Sequence, residues 1–308
     1  MDTRFLQTLI VVVDCGSIAE GARRLNITPS AVVQRIKALE DEIGQALIQR
    51  AGHSMQPTAA GAAIIPDVKR LLAAESDVKA AASADLEVGL LRVGVINSLL
   101  MGLLPDIMVS LRQRKPGIEL YILPGISSAL HASVAEGRLD VAIIVEPHFA
   151  LPKTLGWTQL RREPLLLATP NSLMDSDPRR ILKREPFIRY DRNHWGGRIV
   201  DLYLRKLKIR PHEQFELDSL EAILILVSRG LGVALIPDGL PSWRERTDVR
   251  RIALPGAPPR CIGILWPRTS TRLPLIRAFL AEAIGLCREK SNLDGHGWEP
   301  SATTGAGI

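Results

Sequence analysis

Between Phe5 and Ile43 the chain runs three short amphipathic segments joined by very short breaks, and this spacing constrains its fold more than any other feature. Phe5, Leu6, Leu9, Ile10 and Val13 recur at helical spacing and predict one buried stripe ending at Gly16. Ser17 is a good N-cap for a second helix running to Leu25, with Glu20 placed to complete a capping box. Asn26-Ile27 is a tight turn. Thr28 then caps a third helix with Pro29 in its first position. Val32, Ile36, Leu39 and Ile43 turn one face of that helix to the core, and Gly44 ends it.

Two short helices joined by a tight turn, the second opening on Thr-Pro-Ser, predict a helix-turn-helix over about residues 18–37. The core stripe fixes the residues that point away: Ser30, Val33, Gln34 and Lys37, with Arg35 on the flank. An exposed polar turn of this kind can enter the major groove of double-stranded DNA, where Gln and Arg pair bidentately with base edges. The helix starts at Ser17 and Thr28 offer free N–H groups to phosphates. Arg50 and His53, in the loop after the helices, suit a wing on the DNA backbone or minor groove. Taken alone, the pattern also fits two helices of an ordinary bundle.

Thr58 opens a long Ala-rich helix reaching about Ala84, with Ile64/Ile65, Val68, Leu71/Leu72, Val78 and Ala82 on one face and Pro66 as a potential kink. With no evident partner in its own chain, that stripe suggests a homodimer through the helix. A surface helix lying on its own domain is the alternative.

The segments Gly16–Leu25, Thr28–Val32, Arg35–Gly44, Leu47–Arg50 and Pro57–Gly61, in this order and spacing, resemble the LysR-type transcriptional regulators. The resemblance is strong over the first 60 residues and looser to about residue 290. It implies an α+β and α/β multidomain chain: a winged helix-turn-helix over 1–58, a linker or dimerisation helix over 59–88, and a two-lobed α/β, periplasmic-binding-protein-like effector domain over 89–290. Lobe I would span about 89–161 and 267–290 and lobe II about 162–266, leaving 291–308 as a disordered tail. Family members usually form tetramers of two dimer types, so a homotetramer is implied here as well. Gly21-Ala22 replaces the usual Ala pair, Pro29 a Gln, Val33 a Ser and Ile48 a Phe. Pro29 and Val33 lie on the exposed turn and cannot make the usual hydrogen bonds, although Val33 can touch a thymine methyl.

The second half supports the same reading from its own residues. Leu91–Val95, Glu119–Leu123 and Val141–Val145 read as strands separated by helices, and a second round follows at Leu165–Ala168, Phe187–Arg189, Phe215–Leu217 and Val233–Ile236. This β–α–β succession predicts doubly wound parallel sheets in two lobes, with a crevice at the strand C-termini that takes a small-molecule effector. Asn97, Ser98, Ser127, Ser128 and Glu146 follow strands of the first lobe; Tyr190, Asn193, Trp195 and Ser219 come from the second. Each serine could equally be a plain helix cap. The formal charge is +6, and its excess lies within 161–210, with thirteen Lys/Arg against six Asp/Glu, while residues 1–60 are balanced at six and six. Arg189, Arg192 and Arg198 in that stretch fit an anionic ligand or, equally, a solvated surface. The balanced N-terminus argues against a sequence-independent DNA-coating protein, whose affinity would scale with phosphate contacts.

Other chemistries find little support. Cys15, Cys261 and Cys287 are far apart without a CxxC pair, the histidines form no HExxH, and no P-loop, GxSxG or paired-carboxylate set occurs. Gly230-Leu231-Gly232 precedes a strand where a phosphate loop would follow one. The expectation is a regulator that is neither an enzyme nor the holder of a metal or cofactor, with a two-lobed binding protein or enzyme as the rival. Asp14 closes the apolar run from Leu9, and Ser228-Arg229 closes that from Ala222, which predicts a cytoplasmic protein without membrane contact.

Overall fold

The computed structural model describes residues 1–52, 54–82, 87–240 and 247–294. The chain divides into two compact units, Met1–Ser83 and Ala84–Ile308.

The first unit is built from local signals. Helix α1 spans Thr3–Cys15, α2 Ile18–Leu25 and α3 Pro29–Ile43. Ser17 Oγ accepts the Glu20 N–H and Thr28 Oγ1 the Ala31 N–H, so both predicted caps form. Glu20 turns its carboxylate to Arg23. Asn26, with φ of 54°, makes the left-handed turn between α2 and α3. The buried stripe of α1 is Leu6, Leu9 and Val12, while Phe5, Ile10 and Val13 lie half-buried at its margins, one step round from the expected centre. Val32, Ile36 and Leu39 of α3 close the same core.

Strands β1 (Ile48–Ala51) and β2 (Ser54–Pro57) pair antiparallel as the wing. Glu40 ties the wing to α3, because its carboxylate accepts the N–H groups of Leu47 at 2.7 Å and Ile48 at 3.2 Å. Helix α4 spans Ala59–Ala82 and runs through Pro66. Its first half has a partner within its own unit: Val68 is buried, and Ile64 and Leu72 pack on the core of α1–α3. Further along the helix Leu71 is exposed, and Val78 is 70% exposed. The expected stripe therefore divides into a covered and an uncovered half. Residues 83–86, where the helix was expected to end, lie outside the described residues.

The second unit has two lobes. In lobe I, β3 (Gly89–Ile96), β4 (Ile118–Gly125), β5 (Val141–Val145), β6 (Leu155–Glu163) and β12 (Arg260–Pro267) form a sheet in the order β4-β3-β5-β12-β6. Helices α5 (Leu103–Arg114), α6 (Ser127–Ala135) and α10 (Leu273–Asp294) complete this lobe. In lobe II, β7 (Leu165–Pro170) lies between β10 (Ala234–Pro237) and β11 (Val249–Ala253), and β8 (Pro186–Tyr190) pairs with β9 (His212–Leu217). A parallel bridge from Phe187 to Val233 joins the two groups, and α7 (Pro178–Arg184), α8 (Trp195–Leu207) and α9 (Leu220–Ser228) complete the lobe.

Three expectations are corrected. The sheets are mixed: β3 runs parallel to β4 and β5, but β12 is antiparallel to β5 and β6, and β7 is antiparallel to both neighbours. A chain that leaves lobe I along β6 must return along β12 in the opposite sense. For the same reason the lobe boundary moves, because residues 260–266, expected in lobe II, belong to the strand that completes the sheet of lobe I. The last helix runs to Asp294, past the expected start of the tail at 291, and residues 295–308 lie outside the described residues.

Gly61 opens α4 against the wing, and a Cβ there would lie 2.0 Å from the Leu47 carbonyl oxygen. Since Leu47 is fully buried, neither side can yield cheaply. Gly61→Ala is expected to destabilise this unit by roughly 1–3 kcal/mol. Amide hydrogen exchange across β1 and the start of α4 in the full-length chain should accelerate accordingly, and unchanged protection would refute the close packing.

Candidate nucleic-acid interface and ligand cavity

The outward face of α3 carries Ser30, Val33, Gln34 and Lys37, all exposed, with Val33 at 48%. Thr28 and Ser30 share a hydrogen bond of 3.0 Å, so the start of the helix is ordered before any ligand arrives. Arg35 sits differently from the others. It is half-buried, and its Nη1 donates to Thr8 Oγ1 of α1 at 3.4 Å, because position 35 lies on the side of α3 that turns toward α1. Ser17 is half-buried, with its Oγ engaged in capping α2. Arg50 is exposed at the wing tip and donates from Nε to the Gly52 carbonyl at 3.2 Å. His53 lies outside the described residues.

In the second unit a cavity of about 280 Å³ opens between the lobes. Lobe I contributes the C-terminal ends of β3 and β5, the turn with Asn97, Ser98 and Met101, and the start of α6 at Ser127. Lobe II contributes Tyr190, His194, Trp195, Asp218, Ser219 and Glu221. Six of the nine sequence-based candidates thus meet here: Asn97, Ser98, Ser127, Tyr190, Trp195 and Ser219. The other three lie elsewhere. Ser128 follows Ser127 on a helix and so points about 100° away from it. Glu146, one residue beyond the cavity-lining Val145, reaches the Cys261 thiol. Asn193 lies in the Asp191 turn and borders a neighbouring groove with Arg192 and Glu216. His194, Asp218 and Glu221 were missed because no local pattern separates them from ordinary loop residues; the lobe II fold alone brings them inward.

The three arginines singled out in the sequence, Arg189, Arg192 and Arg198, do not face this cavity. Arg189 pairs with Asp201 and Glu213, Arg192 pairs with Glu213 and Glu216, and Arg198 is exposed away from the lining. The cation behind the cavity is Arg260, 2% exposed, at the first position of β12. Its Nε donates to Glu163 Oε2 at 2.6 Å and its Nη1 to Ser98 Oγ at 3.2 Å. Glu163, also 2% exposed, takes a second cation, Arg161, at 2.5 Å. Arg161 in turn donates to the Gly239 carbonyl of lobe II at 3.2 Å. Burial pushes the Glu163 carboxyl up, but the two guanidiniums outweigh it and hold its pKa below the ordinary carboxylate value. Burial raises the Tyr190 hydroxyl, and the Arg260 beside it opposes the rise.

Trp195 closes one side of the cavity. Its ring meets Phe149 edge-on at 5.6 Å and His148 at 5.6 Å, with His131 at 6.0 Å, so a lobe II side chain is seated in aromatic surroundings from lobe I. Burial lowers the pKa of His131. Burial, reinforced by Glu146, pushes the Cys261 thiol up to about 11, which leaves a protonated and unreactive side chain near neutral pH. Among the described residues no three His, Cys, Asp or Glu side chains are grouped to hold a metal ion, and no helix is long and apolar enough to cross a membrane.

Comparison with known proteins matches both units of the chain to one family. Residues 3–62 match the family model for the bacterial regulatory helix-turn-helix protein of the lysR family, and residues 84–288 match that for the LysR substrate binding domain. The HTH-type transcriptional regulator TfdS of Cupriavidus pinatubonensis is 27% identical over 293 residues, covering 91% of this chain and 97% of that protein. By structure the chain resembles full-length CbnR in complex with its target DNA, with a TM-score of 0.67 at 20% identity over 93% of this chain and all of that one. A full-length OxyR from Pseudomonas aeruginosa gives 0.65 at 22% identity over 93% of this chain and 95% of its own. A helix-turn-helix unit and a substrate-binding unit, both matched by models of one family, make this chain a LysR-type DNA-binding transcriptional regulator.

Proposed function

We propose that this regulator reads a specific, dyad-symmetric DNA site through the exposed face of α3 and is controlled by a small-molecule effector held between the lobes of its second unit. The observation that carries the reading is the pairing of an unoccluded α3 face with a preformed cavity lined by polar groups from both lobes. In this reading Gln34 and Ser30 contact base edges, Val33 meets a thymine methyl, and Lys37 and Arg50 contact phosphates. Ser17 and Thr28 present helix N-termini to the backbone. Arg35, braced on Thr8, sets the angle of α3 and reaches the DNA from its flank.

The acting form is a homodimer through α4, assembling further to a tetramer and working inside the cell. Leu71 and Val78 support the dimer, since exposed apolar residues seven positions apart share one helix face. The effector is a small organic anion bound by Asn97, Ser98, Ser127, Tyr190, Trp195 and Ser219. Its binding shifts lobe closure and thereby the spacing of paired DNA-binding units.

Fluorescence anisotropy on the DNA upstream of its own gene, against a scrambled duplex over a salt series, tests the DNA reading. A preference that persists as salt rises is expected, while equal, salt-labile binding to both would refute site-specific recognition. Gln34→Ala should cost ~1–3 kcal/mol on the specific duplex only; Lys37→Ala should weaken both duplexes alike and reduce the salt slope by about 1. Val78→Glu should shift the sedimentation profile toward monomer, and an unchanged profile would sink dimerisation through α4.

The buried ion pair of Glu163 with Arg260 gives a pH prediction. Because the folded pKa of Glu163 is depressed, its stabilisation is complete above the unfolded value of about 4.3 and is lost as pH falls through the lower folded value. Glu163→Gln should cost about 3–5 kcal/mol at neutral pH, since it leaves Arg260 buried without a counter-charge. The melting temperature of the variant should then fall less than that of the parent below about pH 4. Parallel acid profiles would mean that Glu163 is not ionised in the folded protein.

A further inference from the structure

Trp195 opens α8 in lobe II, yet it is buried in the apolar core of lobe I. Its ring lies 6.0 Å from that of His131 on α6 and 5.6 Å from those of His148 and Phe149 on the loop after β5. Phe149 stands nearly perpendicular to both imidazoles, at 5.3 Å from His131 and 5.2 Å from His148. Lobe I thus seats a lobe II side chain between two groups of the kind that changes charge near neutral pH.

The two imidazoles differ in their surroundings. His148 is exposed and keeps its water in either protonation state. His131 is half-buried, and its Nε2 is shielded from solvent with no hydrogen-bond partner. A neutral imidazole can leave one ring nitrogen bare, but an imidazolium carries an N–H on both and has no acceptor for this one. A cation–π contact could compensate only over a ring face within about 6 Å. The indole, at 6.0 Å and tilted by 57°, lies at that limit, and Phe149 meets the imidazole at 87°. Desolvation therefore prevails, and burial is what lowers the His131 pKa.

No neighbouring charge reverses this. Helix α6 packs on β3, β5 and β12, and its own residues 127–135 carry no charged side chain other than His131 if protonated. Glu136 and Arg138 beyond its end pair with each other. Arg92 of β3 pairs with Asp140, Arg260 of β12 pairs with Glu163, and Glu146 on the loop after β5 is turned to the Cys261 thiol of β12. Beside Trp195, His194 lies between Tyr190 and Asp191, while Arg198 and the loop residue Lys153 are exposed.

We propose that His131 makes the seating of Trp195 acid-labile: the neutral ring holds the indole in lobe I, and the protonated ring releases it and loosens lobe II from lobe I. Because the pKa of His131 is lower with Trp195 seated than in a solvated ring, seating is fully favoured above the ordinary histidine value of about 6.5 and is lost as pH falls through it toward the lower, seated value. Trp195 also lines the interlobe cavity, so its release removes part of the lobe II wall. The switch stands without any effector; only its bearing on control of DNA binding rests on the reading of that cavity as the effector site.

Fluorine NMR on the full-length protein labelled with fluorotryptophan tests this, with the Trp195 signal identified by its absence in Trp195→Phe. Between about pH 7.5 and about pH 5.5, which span the ordinary histidine value, that signal is expected to move and to gain a several-fold larger shift between light and heavy water, the mark of an indole that has met solvent. The signals of Trp157 on β6 and Trp266 on β12, within the lobe I sheet, should stay in place. His131→Phe and His131→Gln, neither of which titrates, should each make the Trp195 signal independent of pH over this range, and His148→Phe should leave the transition intact. A Trp195 signal that stays still, or that moves without gaining the solvent shift, overturns the proposal. So does a transition that survives both His131 variants or vanishes in His148→Phe. Exposure of Trp157 and Trp266 in step with Trp195 would be acid unfolding of the whole unit and would overturn it too. None of these readouts uses DNA or a ligand, so failure here leaves the regulator reading standing.

Discussion

The second unit is organised around one buried contact, the ion pair between Glu163 and Arg260. The two residues face each other in the register of β6 and β12, the strands by which the chain leaves lobe I and returns to it. Desolvating two charges costs several kcal/mol each, which the pair offsets by its own attraction and by further polar contacts to each partner. Arg161 supplies one to the carboxylate and Ser98 accepts one from the guanidinium. Packing alone would hold the crossover strands together, and an apolar pair could do so at least as well. What the ion pair adds is reach: through Arg161 it extends to the Gly239 carbonyl of lobe II.

The first unit was legible in the sequence almost residue by residue, because its determinants are local. Ser17, Thr28 with Pro29, Asn26 and Gly44 act within one turn of their own positions, and all appear where the pattern puts them. Arg35 shows where the local argument ends. Helical periodicity placed it on the flank, but whether a flank faces solvent or another helix depends on how α1 crosses α3. The cavity was legible in part for the same reason. Strand C-termini in an α/β lobe mark the ligand side by a topological rule, so Asn97, Ser98 and Ser127 were found. Arg260 sits at the N-terminus of a strand that no alternation signal set apart, and its role depends on a pairing with Glu163 across 97 residues of chain.

Counting charge as a regional property left two readings of one stretch open. Thirteen basic residues in fifty fit an anionic ligand or a solvated surface, and Arg189 and Arg192 are matched by carboxylates on β9 and α8 of the same lobe. Such partners come from neighbouring strands and helices and are invisible in a linear count. A single arginine shielded from water outweighs several on a solvated surface, since screening and hydration remove most of the field of an exposed charge.

The same logic bears on how a charge-balanced N-terminal unit can hold DNA. With six basic and six acidic residues in its first 60 positions, one copy has little to offer phosphates beyond Lys37, Arg50 and the helix N-termini. Affinity from counterion release grows with each phosphate neutralised, so a single unit of this composition binds any duplex weakly. Two units joined through α4 in the proposed dimer would bind as one ligand, because the second is held at high effective concentration once the first has landed. Weak backbone contact then becomes useful. In that proposed arrangement it would keep nonspecific binding low, leave discrimination to the proposed base contacts Gln34, Ser30 and Val33, and make total affinity depend on the spacing between the two units. On the proposed function, that spacing is what closure of the lobes around a ligand would alter, and the low charge of the first unit is what would give the second its control.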